Sequence, residues 1–370
     1  MEEIRENIIE FIENTEDDDI NKDEIINIIK EENKHDIRLI LRLMVKLYSN
    51  HLGIKVAPRI EDILINLKDQ ILEKFTNSEI FDIFKSNKRI LLFLIEEKML
   101  TFDKDIAFAI TQGKYLTYNY PSYFLPELKP FSDSEFIRNY KNSKTKKKDD
   151  IWIQELNQEI EEDFYIKRKD GVNDSYVCNL IRDDKVEDFI SYLTRTGQSC
   201  NSKIKYSIFE TNPYLLKCHN VDFIMYAAFY GSFQIFQFIT KQDVKLLESM
   251  IWYPAVHGGN PEIIHLLESM KIIPDKRKKD EKYRLYLTES IKCHQNQIAN
   301  YIPDVLMERK CDPSFYTYYG IKYYNFGYID TQNYEKFLVH FCTYDYYTLV
   351  NILLISLPCL KVNEACSDEI

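Results

Sequence analysis

One apolar pattern recurs in the second half of the sequence, and it restricts the folds that the chain can adopt. Residues 223–239 and 252–267 can be aligned on Gly231 and Gly259. Each segment has small or apolar residues three and four positions before the glycine, and apolar residues four, five, seven and eight positions after it. This spacing predicts a short helix, a tight turn and a second helix that packs back on the first.

The same frame recurs at three places where the glycine is replaced. The turn residues there are Asp184, His294 and Asp345. The turn requires a left-handed backbone, which Gly adopts most easily and which Asn, Asp and His tolerate better than most residues. A weaker match centred on Asn87 suggests that the N-terminal helices join the same stack. The sequence therefore predicts a degenerate helical repeat.

The N-terminal part shows the apolar periodicity of packed helices. The stripe in residues 37–48 is the clearest, with apolar side chains on one face and basic ones on the other. The pattern breaks after residue 112, where three prolines interrupt a Tyr-rich stretch before a basic run at 141–148. We interpret that run as a solvated loop, with a nuclear-import signal as the alternative.

Composition and missing motifs exclude the common catalytic frameworks. Nine glycines among 370 residues leave little for phosphate-cradling loops, and the sequence has no GxGxxG, GxxxxGK[ST], GxSxG, HExxH or CxxC. His257 and His265 are too far apart to ligate one metal from adjacent helical turns, and Cys293 and His294 are neighbours that point in different directions. We expect no catalytic residue, no cofactor and no metal site.

Charge and targeting signals bear on partner and compartment. A net charge of −11 opposes broad contact with nucleic acid or anionic lipid and would attract a basic partner. The N-terminus lacks the basic start and apolar run of a signal peptide. The apolar stretch 349–360 is shorter than the ~20 residues that a membrane span requires. We therefore expect a cytoplasmic protein with no membrane span and with reduced cysteines.

Several phrases of the sequence resemble a known repeat family. Ala227, Ala228 and Gly231, and GNPEIIHLLE at 259–268, resemble ankyrin repeats. More narrowly, NDSYVCNLIRDDKVEDFISYL, SIFETNPYLL, YAAFYGS and ESIKCHQNQIANYI are similar to a large, expanded protist family that places an uncharacterised helical domain before divergent ankyrin repeats. The likeness spans roughly residues 75–355, although no unit has the TPLH start. It implies an ankyrin-like fold and a general binding role.

Together these observations predict an all-α protein. We expect an N-terminal helical domain at 1–112, an irregular linker at 113–172, a short ankyrin-like solenoid at 173–356 and a C-terminal tail at 357–370. The predicted function is a non-enzymatic interaction module that binds another protein through the concave face of its repeats. The alternatives are an enzyme with an unrecognised site between the N-terminal helices and the repeats, or a cytoskeletal linker. The partner's identity and the oligomeric state are left open.

The candidate partner-binding residues are those that point away from the apolar contacts within each hairpin. They are Arg182, Asp183, Tyr226, Phe229, Tyr230, His257, Lys292 and Tyr344. An aromatic centre within a charged rim is the composition of an interface hot spot. The alternative is that Tyr226 and Phe229 pack against a neighbouring insertion such as residues 311–330.

Overall fold

The protein is built from short helices. The computed structural model describes residues 2–13, 19–50, 53–112, 120–143, 151–218, 220–242, 249–272, 279–307, 310–330 and 334–356. These residues form no β-strand, and their one extended pairing is an isolated antiparallel bridge between Lys203 and Asp222. The all-helical prediction is confirmed. The C-terminal tail at 357–370 and most of the basic run at 141–148 lie outside the described residues.

The α-helices follow one another in chain order with short connections. The first sixteen are α1 (Glu2–Glu13), α2 (Asp19–Glu31), α3 (Lys34–Asn50), α4 (Gly53–Asn66), α5 (Lys68–Lys74), α6 (Asn77–Phe84), α7 (Lys88–Glu96), α8 (Lys104–Gln112), α9 (Tyr120–Tyr123), α10 (Leu125–Leu128), α11 (Ser134–Ser143), α12 (Ile151–Glu155), α13 (Glu162–Asp170), α14 (Tyr176–Arg182), α15 (Val186–Thr196) and α16 (Pro213–Lys217). The others are α17 (Phe223–Tyr230), α18 (Phe233–Lys241), α19 (Trp252–Gly258), α20 (Pro261–Ser269), α21 (Lys279–Lys292), α22 (Asn296–Tyr301), α23 (Pro313–Tyr323), α24 (Leu338–Thr343) and α25 (Tyr347–Ser356).

Contacts divide the chain into two compact units. The split unit comprises Met1–Leu52 together with Ile224–Ile370, and the continuous unit comprises Gly53–Phe223. This grouping differs from the linear order of domains expected from the sequence, because the first three helices belong with the C-terminal half of the chain. Sequence periodicity shows that a helix has a buried face, but it does not show which distant helix covers that face.

Helix α3 shows how the N-terminal segment belongs to the split unit. Its predicted apolar stripe is buried, and it packs on α25. The ring of His35 stacks on that of Tyr347 with centroids 3.8 Å apart. Arg42 Nη2 lies 2.6 Å from the carboxylate of Asp345, at the turn before α25. Helix α3 therefore packs against the last described hairpin.

All five predicted turn residues adopt the left-handed conformation. Their φ angles are 52° at Asp184, 69° at Gly231, 66° at Gly259, 57° at His294 and 63° at Asp345. At His294, for example, the turn amide donates to Ile291 O and the next amide donates to Ser290 O. This pair of hydrogen bonds is the Schellman motif, which ends a helix and reverses the chain. The weaker match at Asn87 is not such a turn, because its φ is −133° and it caps α7.

The structure adds left-handed turns at Lys98, Lys271 and Tyr324 that the sequence did not reveal. Tyr324 has a φ of 59°, and the amide of Asn325 donates to Gly320 O over 2.9 Å. Tyrosine seldom adopts this conformation, so no local signal marks it. The split unit therefore has helical hairpins that turn at residues 231, 259, 294 and 345, and at residue 324 α23 turns into the 3-10 helix Phe326–Tyr328. Their first helices pack in sequence, with α19 on α21, α21 on α23 and α23 on α24.

Hydrogen bonds join consecutive turns of the split unit. The amide of the Asn260 side chain donates to Gly231 O over 2.8 Å, while its oxygen accepts from the first amides of α20. The side-chain amide of Asn325 donates to Ile291 O over 3.0 Å, and His294 Nε2 lies 3.1 Å from Tyr323 O. These bonds supply donors to carbonyls at or near helix ends, and they join neighbouring hairpins.

The continuous unit includes the region expected to be an irregular linker. Where they are described, residues 113–172 contain the helices α9 to α13. The prolines are compatible with helix there because they lie at helix starts, as Pro126 does in α10. The segment is also part of a core, since the rings of Tyr123, Tyr140 and Trp152 are fully buried.

Buried basic side chains bind distant carbonyls in the continuous unit. Lys88 Nζ donates to Ile208 O over 2.8 Å. Arg168 makes two hydrogen bonds to the carboxylate of Glu127, of 2.7 and 3.1 Å, and a third of 3.3 Å to Tyr123 O. Burial lowers the pKa of Lys88 to about 7, although the carboxylate of Glu210 acts in the opposite direction.

Candidate functional site

The aromatic centre of the predicted partner-binding surface is buried. Tyr226 and His257 are each 1% exposed and Phe229 is 4% exposed, so these three residues do not form an accessible surface. Their rings pack on one another and on a neighbour, with centroids 4.4 Å apart for Phe229 and His257 and 4.7 Å apart for Tyr226 and Tyr230. Within the split unit, neighbouring elements cover the side that one hairpin alone would expose.

The other candidate residues keep some exposure but do not form one group. Asp183 is exposed and Arg182, which donates to Asn173 O over 2.8 Å, is half-buried; both belong to the continuous unit. Tyr230, Lys292 and Tyr344 are half-buried in the split unit.

A buried group of ionisable side chains lies between two hairpins of the split unit. His257 comes from α19, Glu289 comes from α21, and Cys293 follows the end of α21. His257 Nε2 lies 3.6 Å from Glu289 Oε1, and Cys293 Sγ lies 3.8 Å from the same oxygen. The three ligand atoms all lie within 4.8 Å of one another, and all three residues are buried. A nitrogen, an oxygen and a sulfur at this spacing are groups that could hold a transition metal.

Lys292 supplies the counter-charge in this group. Its Nζ lies 2.7 Å from Glu289 Oε1. Burial opposes the charge of this lysine, but the nearby carboxylate outweighs burial and raises the pKa of Lys292. Burial, reinforced by Glu289, raises the pKa of the Cys293 thiol well above its usual value. The thiol is therefore protonated at neutral pH, and as it stands it is not an activated nucleophile.

The sequence alone suggests other pairs for these residues. His265, the histidine nearest to His257 in the sequence, is exposed and lies near Glu268, and His294, the neighbour of Cys293, is a turn residue. The available signal was the four-residue spacing of Glu289 and Cys293, which places both on one face of a helix. No local pattern connects His257 to them, because it lies on another hairpin.

Helix α25 exposes apolar side chains at the end of the row of hairpins. The most exposed is Ile355, at 72%, and Tyr347, Ile352 and Leu354 are also exposed. Leu353 is buried, so the helix has one face in the core and apolar residues outside it. A cluster of this kind differs from the single apolar residues that are normal on protein surfaces.

The chain matches no protein-family model, no curated protein and no solved structure. Among the residues that the structure describes, no helix combines the length and the apolar character needed to cross a membrane.

Proposed function

We propose that the protein is a non-enzymatic interaction protein whose split unit is a short, ankyrin-like repeat array. The array binds a partner protein at its C-terminal end, through the exposed apolar side chains of α25. Support for the array comes from the series of left-handed turns, from the bonds between them and from the packing of successive first helices. The concave face does not serve as the binding surface, because its aromatic centre is buried.

The observation that carries the proposal is the exposed apolar cluster on α25. A repeat array normally ends in a unit with a polar outer face, because nothing stacks on its last helix. Here α3 packs on α25, yet Tyr347, Ile352 and Ile355 are each more than half exposed. Apolar side chains left in water at the end of such a row favour a surface that a partner covers. The net charge of −11 favours a partner whose contact surface has a basic rim.

The test is a comparison of two double variants of the full chain. Ile352→Glu/Ile355→Glu places charges in the α25 cluster, and Ile65→Glu/Leu72→Glu places the same charges at exposed apolar positions of the continuous unit. Co-purification from the native cell, quantified by mass spectrometry, should show at least a roughly tenfold loss of partner for the first variant only.

Two outcomes would contradict this proposal. One is an unchanged set of partners with a folded Ile352→Glu/Ile355→Glu variant. The other is a loss confined to self-association, measured by sedimentation, because the face would then join two copies of the chain rather than a separate partner.

A further inference from the structure

The buried group of His257, Glu289 and Cys293 has the chemistry of a metal site. The three residues offer an imidazole nitrogen, a carboxylate oxygen and a sulfur, and their ligand atoms lie within 4.8 Å of one another. They come from consecutive hairpins of the split unit, so an ion bound to them would join α19 to α21. We propose that these residues form a zinc site, with Nε2, Oε1 and Sγ as the ligands.

The distances fit a tetrahedral ion. Bonds of about 2.0–2.3 Å from zinc to nitrogen, oxygen and sulfur require neighbouring ligand atoms to be roughly 3.3–3.7 Å apart. The separations from Glu289 Oε1 are 3.6 Å to His257 Nε2 and 3.8 Å to Cys293 Sγ. The third separation, between the His257 nitrogen and Cys293 Sγ, is at most 4.8 Å. Side-chain shifts of at most about 1 Å would therefore complete the three protein ligands. The fourth position of a tetrahedral site is left for water.

The mixture of ligand types argues against calcium and magnesium. Calcium and magnesium prefer sites made entirely of oxygen, whereas zinc accepts sulfur, nitrogen and oxygen together. The surroundings are those of a structural site, since His257 packs against the ring of Phe229 with centroids 4.4 Å apart. An imidazole held in this way loses little freedom when it binds a metal.

Charge is balanced with and without the ion. Without metal, the carboxylate of Glu289 is neutralised by Lys292, whose Nζ lies 2.7 Å from Oε1. Metal binding releases the thiol proton to solvent, so a thiolate and a carboxylate neutralise the two charges of Zn²⁺. The ammonium of Lys292 then moves toward water, which its partial exposure permits. Lys292 and zinc are therefore competitors for the same carboxylate.

The experiment uses the full chain, stripped of metal with a chelator and titrated with Co²⁺ as a spectroscopic substitute for Zn²⁺. We expect one equivalent to bind with a thiolate-to-cobalt charge-transfer band, and we expect added Zn²⁺ to abolish that band and raise the melting temperature. Cys293→Ser should remove the band and weaken Zn²⁺ binding at least on the order of 100-fold.

Two further variants sharpen the result. Cys311→Ser is the matched control, because Cys311 is another buried cysteine of the split unit and should leave the band unchanged. Lys292→Met removes the competing ammonium and should tighten Zn²⁺ binding by about tenfold.

The proposal is overturned if wild-type protein gives no charge-transfer band, a result that does not depend on whether any variant folds. It is also overturned if the band survives in Cys293→Ser. Neither outcome affects the proposed binding face on α25, which contains none of the three ligands.

Discussion

The two units of the protein solve the same problem in different ways. Both contain short helices, and the last carbonyls of a helix have no hydrogen-bond partner within that helix. In the split unit, side chains of one turn bind the carbonyl of a neighbouring turn, as Asn260 binds Gly231 O. In the continuous unit, a buried cation binds a carbonyl far away in the sequence, as Arg168 binds Tyr123 O at the end of α9. The split unit joins equivalent positions of successive turns with neutral side chains. The continuous unit uses a buried cation beside neutral donors, such as Tyr120, which donates to Lys85 O, and Thr211, which donates to Gly171 O.

The largest expected effect comes from removing a buried cation of the continuous unit. Arg168→Ala leaves the half-buried carboxylate of Glu127 and the carbonyl of Tyr123 without their donor, and should lower the free energy of unfolding by about 3–5 kcal/mol. The control is Lys169→Ala, which removes an exposed ion pair with Glu96 and should cost less than about 1 kcal/mol. Urea denaturation measures both. Equal effects would show that the continuous unit does not depend on its buried charge.

In the split unit, the corresponding weak point is a close backbone approach. A Cβ at Gly258 would clash with the carbonyl of Ala228 and lie 2.9 Å from Phe229 O, so Gly258→Ala should destabilise the protein by about 2–3 kcal/mol. Gly197→Ala in the continuous unit is the control. A Cβ at Gly197 would meet nothing within 4 Å. The alanine would therefore be disfavoured only by the left-handed backbone, with its φ of +65°, which should lower the free energy of unfolding by about 1 kcal/mol. Thermal unfolding that ranks the two in the opposite order would contradict the packing of α19 against α17.

The bond between the turns at Gly231 and Gly259 can be separated from helix capping. Asn260→Ala removes the cap of α20 and the bond to Gly231 O, and should cost about 2 kcal/mol. Asn260→Asp keeps a capping oxygen but has no donor for the carbonyl, so it should cost about 1 kcal/mol. If the aspartate variant is as stable as wild type in chemical denaturation, the bond between the turns contributes nothing.

The buried lysine of the continuous unit predicts a dependence on pH. Lys88 has a folded-state pKa of about 7 and an ordinary value of 10.5, so between these limits the unfolded chain binds a proton that the folded chain does not. The contribution of Lys88 to stability should therefore rise with pH by about 1 kcal/mol per unit between pH 7.5 and 9.

Lys88→Met isolates this contribution, because Glu210 and Tyr123, which face the lysine, stay in place. The difference in unfolding free energy between wild type and variant should change across this pH range. Parallel stability profiles would mean that Lys88 keeps its proton in the folded protein.

The turns were predictable because their cause is local. Asp184, His294 and Asp345 follow a helix with the right apolar spacing and belong to residue types that tolerate a left-handed backbone. Tyr324 makes the same turn but is not such a type, so only tertiary packing explains it. The apolar spacing therefore predicts turns whose own residue type tolerates a left-handed backbone, and it misses turns that tertiary packing imposes.

The accessible surface and the buried ionisable group were not predictable in the same way. The spacing in α17 shows that Tyr226 and Phe229 point away from their own hairpin, but not that neighbouring residues cover them. His257 meets Glu289 and Cys293 only because α19 packs on α21. In both cases the deciding contact joins segments that no periodicity connects.

The central claim about the split unit is that its N-terminal helices close on its last hairpin. A photoreactive benzoylphenylalanine in place of His35, whose ring lies 3.8 Å from that of Tyr347, tests this directly in the full chain. After irradiation and proteolysis, mass spectrometry should find the cross-link within residues 338–356, which contain α24 and α25. Cross-links that avoid this segment altogether would contradict the grouping of residues 1–52 with the C-terminal half of the chain.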